Sequence, residues 1–122
     1  MKLKFFFFGA LTFLLIHMAS QAATTLQRCS WIGNDTTPFF THCISSNFTK
    51  IERATGLDLA SCYNVSTGYS YSYQICARKN FRHVADRLKL KLDTCPTIGE
   101  ELNPFYITCV QKNFKTIERA LP

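Results

Sequence analysis

The feature that most constrains this chain is the placing of its cysteines. Cys29 precedes Cys43, Cys62 precedes Cys76 and Cys95 precedes Cys109, always with thirteen residues between, and each such pair lies 33 residues after the one before. The residues after each second cysteine repeat as well. Cys109-Val110-Gln111-Lys112-Asn113-Phe114-Lys115-Thr116-Ile117-Glu118-Arg119-Ala120 matches Cys43-Ile44-Ser45-Ser46-Asn47-Phe48-Thr49-Lys50-Ile51-Glu52-Arg53-Ala54, and more loosely Cys76-Ala77-Arg78-Lys79-Asn80-Phe81-Arg82-His83-Val84. One supersecondary unit is therefore written three times, and a repeat has to be settled before any local assignment.

At about 100° per residue, Tyr106, Cys109, Val110, Asn113, Phe114 and Ile117 fall within one arc of a helical wheel. Phe40, Cys43, Ile44, Asn47, Phe48 and Ile51 do the same, as do Tyr73, Cys76, Ala77, Asn80, Phe81 and Val84. Three amphipathic helices follow. Thr37 and Asn103 are good N-caps, each followed by a proline at the first helical position, and Ser70 holds the same place in the middle copy. The alternating Tyr69-Ser70-Tyr71-Ser72-Tyr73 run has the period of a strand, but the repeat register assigns it to a helix start. Gly56 is the natural stop of the first helix.

Before the first repeat the chain reads as a secretory signal over residues 1–22: a charged start with Lys2 and Lys4, an apolar run from Phe5 to Ile16, and small residues around Ala22. The apolar run is shorter than the roughly 20 residues of a membrane span. The expected product is a secreted, extracellular domain of residues 23–122, with repeats at about 26–55, 59–88 and 92–121. A core of that size is only marginally self-sufficient, and small secreted domains commonly add disulfides.

Six cysteines allow about fifteen pairings. In an antiparallel helical hairpin turning near residues 34–37, Cys29 and Cys43 lie at similar heights. Joining Cys43 to Cys62 across Gly56 would leave a height mismatch of about 10 Å at 1.5 Å per residue, beyond the roughly 7 Å reach of a disulfide. The expected bridges are Cys29–Cys43, Cys62–Cys76 and Cys95–Cys109, each worth roughly 3 kcal/mol for a loop of about fifteen residues. The predicted architecture is all-α: a small disulfide-stabilised array of three helical hairpins, stacked one on the next.

Asn34, Asn47 and Asn64 each begin an N-glycosylation sequon. Asn34 and Asn64 fall in turns and suit a glycan in a secreted chain. Asn47 falls near the centre of an apolar arc, as do Asn80 and Asn113, which are not sequons, so an internal hydrogen-bonding role is expected for all three.

Without Lys2 and Lys4, twelve Lys plus Arg face eight Asp plus Glu. The excess is concentrated on the second helix and its exit, where Arg78, Lys79, Arg82, Arg87, Lys89 and Lys91 are offset only by Asp86. Corresponding outward positions are Ser45, Thr49 and Gly56 in the first repeat, and Gln111 and Lys115 in the third. The pattern predicts an anion-binding surface, for a microbial envelope or an acidic extracellular partner, beside the plainer reading of a solvated helix face. No nucleophile–base set, glycine-rich phosphate loop or close metal-ligand spacing accompanies it. His17 leaves with the signal, and His42 and His83 are not spaced as ligands. No enzyme activity, cofactor or metal is expected, and secretion with modest charge argues against nucleic acid as a partner.

Leu92-Asp93-Thr94-Cys95 through Phe105-Tyr106-Ile107-Thr108-Cys109, and Leu26-Gln27-Arg28-Cys29 through Phe39-Phe40-Thr41-His42-Cys43, resemble the Leu-x-x-Cys, polar spacer, apolar-x-x-Cys opening of the tick microplusin-like secreted antimicrobial proteins. The resemblance covers the signal peptide, the cysteine count, the helical reading and the first cysteine spacing, and implies a defence role. That family has closely spaced central cysteines and histidine-rich ends that hold copper. This chain has equal pairs and only His42 and His83, so no copper ligand is carried over. The expected function is binding of anionic microbial surfaces; the alternative is an extracellular protein, for example salivary, that captures a host protein or small ligand.

Overall fold

The computed structural model describes residues 23–29, 37–62, 71–96 and 103–122. Among the described residues there are three helices, α1 (Thr37–Thr55), α2 (Tyr71–Leu88) and α3 (Pro104–Ala120), one per repeat. Asn103 caps α3 as the sequence predicts: its Oδ1 accepts the Tyr106 N–H at 3.0 Å, with Pro104 in the first turn. The Tyr-Ser run enters the helix at Tyr71; Ser70 lies outside the described residues. The fold is all-α among the described residues, and the three expected bridges are the ones formed, with Cα–Cα distances of 5.6, 5.5 and 5.7 Å.

Helix exits follow the repeat too. Gly56 takes a φ of 74°, and its N–H returns to the Glu52 carbonyl at 2.8 Å. Thirty-three residues on, Lys89 takes a φ of 56° and Leu90 N–H returns to the Ala85 carbonyl at 2.9 Å. Both are left-handed helix terminations, and a side chain pays a steric penalty there that glycine avoids. Lys89→Gly should therefore raise stability by about 1 kcal/mol, read as a higher urea midpoint with an unchanged slope; an unchanged or lower midpoint contradicts this account of the cap.

The first arm of each unit differs from expectation. Residues 26–29, 59–61 and 92–95 lie outside any helix, so among the described residues each unit is a strap bridged to one helix and not a pair of helices. The inward asparagines explain why. Asn47 Oδ1 accepts the Gln27 N–H at 2.7 Å while its Nδ2 donates to the Gln27 carbonyl at 2.8 Å. Asn80 grips Ala60 in the same way at 2.9 and 2.8 Å, and Asn113 grips Asp93 at 2.8 and 2.8 Å. The N–H and C=O of one residue point to the same side only in extended backbone, where a carboxamide can pair with both as a neighbouring strand would. Each Nδ2 also lies 3.4–3.5 Å from the nearby disulfide sulfur of Cys29, Cys62 or Cys95.

The units are not stacked in a row. Phe48, Phe81 and Phe114, the same position of each repeat, form a triangle of rings with centroids 5.1, 5.4 and 5.1 Å apart, tilted by 60–63°. In an open array each unit touches only its neighbours; here the first and third also meet, at 5.4 Å against 5.1 Å for each with the second. Buried layers above and below repeat the symmetry: Ile44, Ala77 and Val110 on one side, Ile51, Val84 and Ile117 on the other, all fully buried. Next to the first of these lie Phe40, Tyr73 and Tyr106, with Phe40 and Tyr106 in edge contact at 6.2 Å. Burial pushes the Tyr73 phenol above its usual range, and its O–H donates to the Thr41 carbonyl at 3.1 Å.

Two further contacts complete the circle between the first strap and the third helix. Leu26 N–H donates to Glu118 Oε2 at 2.7 Å, and Thr24 N–H donates to the Pro122 carbonyl at 3.0 Å.

Candidate functional site

Closing three strap-and-helix units into a ring sets each helix against the strap of the next unit. A groove runs between α2 and the strap of the third unit. Arg78, Phe81, Arg82 and Ala85 line it from the helix, and residues 90–94 line it from the strap, enclosing about 240 Å³. Helical spacing puts these four side chains on one stripe. Phe81 is buried beneath, Leu90 and Leu92 are half-buried beside it, and Arg82 and Lys91 stand exposed at the rim. Arg78 is half-buried; its Nε is shut off from solvent and makes no hydrogen bond within the protein.

The equivalent groove between α3 and the first strap is larger, about 700 Å³. Leu26, Ile107 and Phe114 form its apolar side, and Arg28, Lys112 and Lys115 its cationic rim. The carboxylate of Glu118 lies here too, engaged by the Leu26 N–H. Lys112 also pairs with Asp93 at 3.1 Å, but both side chains are mostly exposed, and such pairs are weak. At the corresponding places of the first unit, Ser45, Thr49 and Asp58 stand where Arg78, Arg82 and Lys91 do in the second.

The six cations expected to act together are divided by this geometry. Arg78, Arg82 and Lys91 gather round one groove. Lys79 and Arg87 are exposed on other faces of α2, about 100° and 180° from Arg78 around the axis. Lys89 is exposed just past the helix, at its left-handed exit. Arg28, Lys112 and Lys115 were not anticipated, because their meeting depends on the third unit touching the first.

Among the sequons, Asn34 and Asn64 lie outside the described residues. Asn47 is fully buried with both ends of its carboxamide engaged, and a glycan on Nδ2 would break its bond to Gln27 and its contact with Cys29. It is removed from the candidate glycosylation sites. His42 and His83 are both exposed, and among the described residues no three His, Cys, Asp or Glu side chains are grouped to hold a metal ion. Among the same residues no helix is long and apolar enough to cross a membrane.

No protein-family model, curated protein or solved structure matches the chain. The functional reading therefore rests on the residues and their geometry.

Proposed function

We propose that this is a secreted, non-enzymatic binding protein that engages anions through α2 and its exit, with defence or host interaction at microbial surfaces as its setting. The observation that carries the reading is the uneven charge of three otherwise matching units: the second presents Arg78, Arg82 and Lys91 where the first has Ser45, Thr49 and Asp58. The three disulfides are consistent with an oxidising, extracellular location. The microplusin-like openings of the first and third repeats agree with a defence role.

A second reading, capture of a small ligand or a host protein, is favoured by the apolar floor beneath those cations. A flat basic face suits a membrane, whereas a groove suits something that enters it.

Vesicle binding tests the first reading. The oxidised chain of residues 23–122 should bind phosphatidylglycerol vesicles at low salt, release them as salt rises, and ignore phosphatidylcholine vesicles. Near an anionic surface each basic residue contributes about 1 kcal/mol. Reversing Arg82, Lys89 and Lys91, all exposed on α2 or at its exit, to glutamate should therefore weaken binding more than about a hundredfold. Undiminished vesicle binding by a variant with native circular dichroism would remove the surface reading.

A further inference from the structure

We propose that the α2 groove and its counterpart on α3 each take up one free fatty acid of about dodecanoate length, carboxylate at the cationic rim and hydrocarbon chain along the strap. The inference rests on the reading of this protein as an anion binder and names the ligand class.

The internal symmetry supplies the comparison. Two grooves at equivalent places pair an apolar floor with an excess of cations: Phe81, Leu90 and Leu92 beneath Arg78, Arg82 and Lys91, with Asp93 the one carboxylate among them, and Leu26, Ile107 and Phe114 beside Arg28, Lys112 and Lys115, with Glu118 held by the Leu26 N–H. The same core phenylalanine underlies the first unit as Phe48, but there Ser45, Thr49 and Asp58 replace the cations. The fold needs the apolar residues in every unit. It does not need the cations, since the first unit forms the same strap, bridge and clasp without them.

In the α2 groove the head group follows from Arg78; the α3 groove has Gln111 at that position and offers Arg28, Lys112 and Lys115. The Arg78 Nε–H is withdrawn from solvent and unpaired in the protein, and an unpaired buried donor is unfavourable until an acceptor arrives. The side edge of a guanidinium offers two parallel donors that match a carboxylate. An inorganic anion would satisfy Arg78 but leave the apolar floor wet. An extended acidic peptide would need a free backbone edge, and at Asp93 the strap N–H and C=O are already held by Asn113. A single anion on an apolar chain satisfies both halves of the groove.

The test is calorimetric titration of the oxidised chain of residues 23–122 with dodecanoate below its micellar concentration, beside dodecanol and inorganic phosphate. Two dodecanoates should bind per chain, with dodecanol and phosphate at least about tenfold weaker, as expected when a charged hydrogen bond or the apolar contact is lost. Arg78→Gln should abolish one site and Lys115→Gln should weaken the other. The decisive variant adds function: Ser45→Arg with Thr49→Arg and Asp58→Lys should create a third site. No dodecanoate binding, equal binding of dodecanol, or a stoichiometry unmoved by these variants would overturn the proposal. Dodecanoate failure with intact vesicle binding refutes this inference alone. Dodecanoate uptake without vesicle binding supports it and refutes the surface reading.

Discussion

Phe81→Ala should destabilise the protein by about 3–5 kcal/mol, a large part of the roughly 5–15 kcal/mol that holds a domain folded. Phe81 is buried and its ring lies 5.1 Å from both Phe48 and Phe114, so its removal opens a cavity at the point where all three units meet. Guanidinium unfolding of the disulfide-intact protein measures the loss. The topology makes a sharper demand. Aromatic pairs in edge contact contribute about 0.5–1.5 kcal/mol beyond burial, and double-mutant cycles isolate that share. The Phe48–Phe114 coupling should match the Phe48–Phe81 coupling, although the residues of the first pair lie twice as far apart in sequence. A coupling present between neighbours but absent between the first and third units would mean an open row, and the closed ring would be wrong.

Asn113→Ala should cost about 3 kcal/mol, because it leaves the Asp93 N–H and C=O without the partner that holds them at 2.8 Å, and each orphaned group loses roughly 1–3 kcal/mol. Asn47→Ala and Asn80→Ala remove the same grip from Gln27 and Ala60 and should act alike. Replacement by aspartate separates the clasp from mere packing. The carboxylate keeps an acceptor for the strap N–H but sets negative oxygen against the strap carbonyl, so the aspartate variants should be no more stable than the alanine ones at neutral pH. Urea midpoints for the set decide it. Losses below about 0.5 kcal/mol, the range of ordinary surface changes, would show that the disulfides alone hold the straps.

The repeat made much of this structure legible. Thirteen residues between cysteines and a period of 33 were enough for the bridges, the helices and the inward turn of Asn47, Asn80 and Asn113. The cap at Asn103 and the stop at Gly56 followed from local chemistry. The straps did not. Leu26-Gln27-Arg28-Cys29 is too short to show a period, and what makes it extended is a side chain twenty residues away. Ring closure was hidden for a related reason: periodicity states that units are alike, not whether the third returns to the first. The candidate site inherited both gaps. Arg78 and Arg82 could be placed on one stripe by counting, but the apolar floor beneath them comes from the next unit. Arg28 meets Lys112 and Lys115 only because the ring is shut.

The 3.0 Å bond from Thr24 to Pro122 has one more consequence. Residues 24–122 span 99 positions, three whole periods of 33, and Pro122 stands at the register position of Gly56 and Lys89, as Thr24 does at that of Leu57 and Leu90. A peptide link from Pro122 to Thr24 would thus reproduce, in register, a junction the chain already makes twice. Fusing the two residues covalently would therefore leave each strap, bridge and helix in the place it already holds.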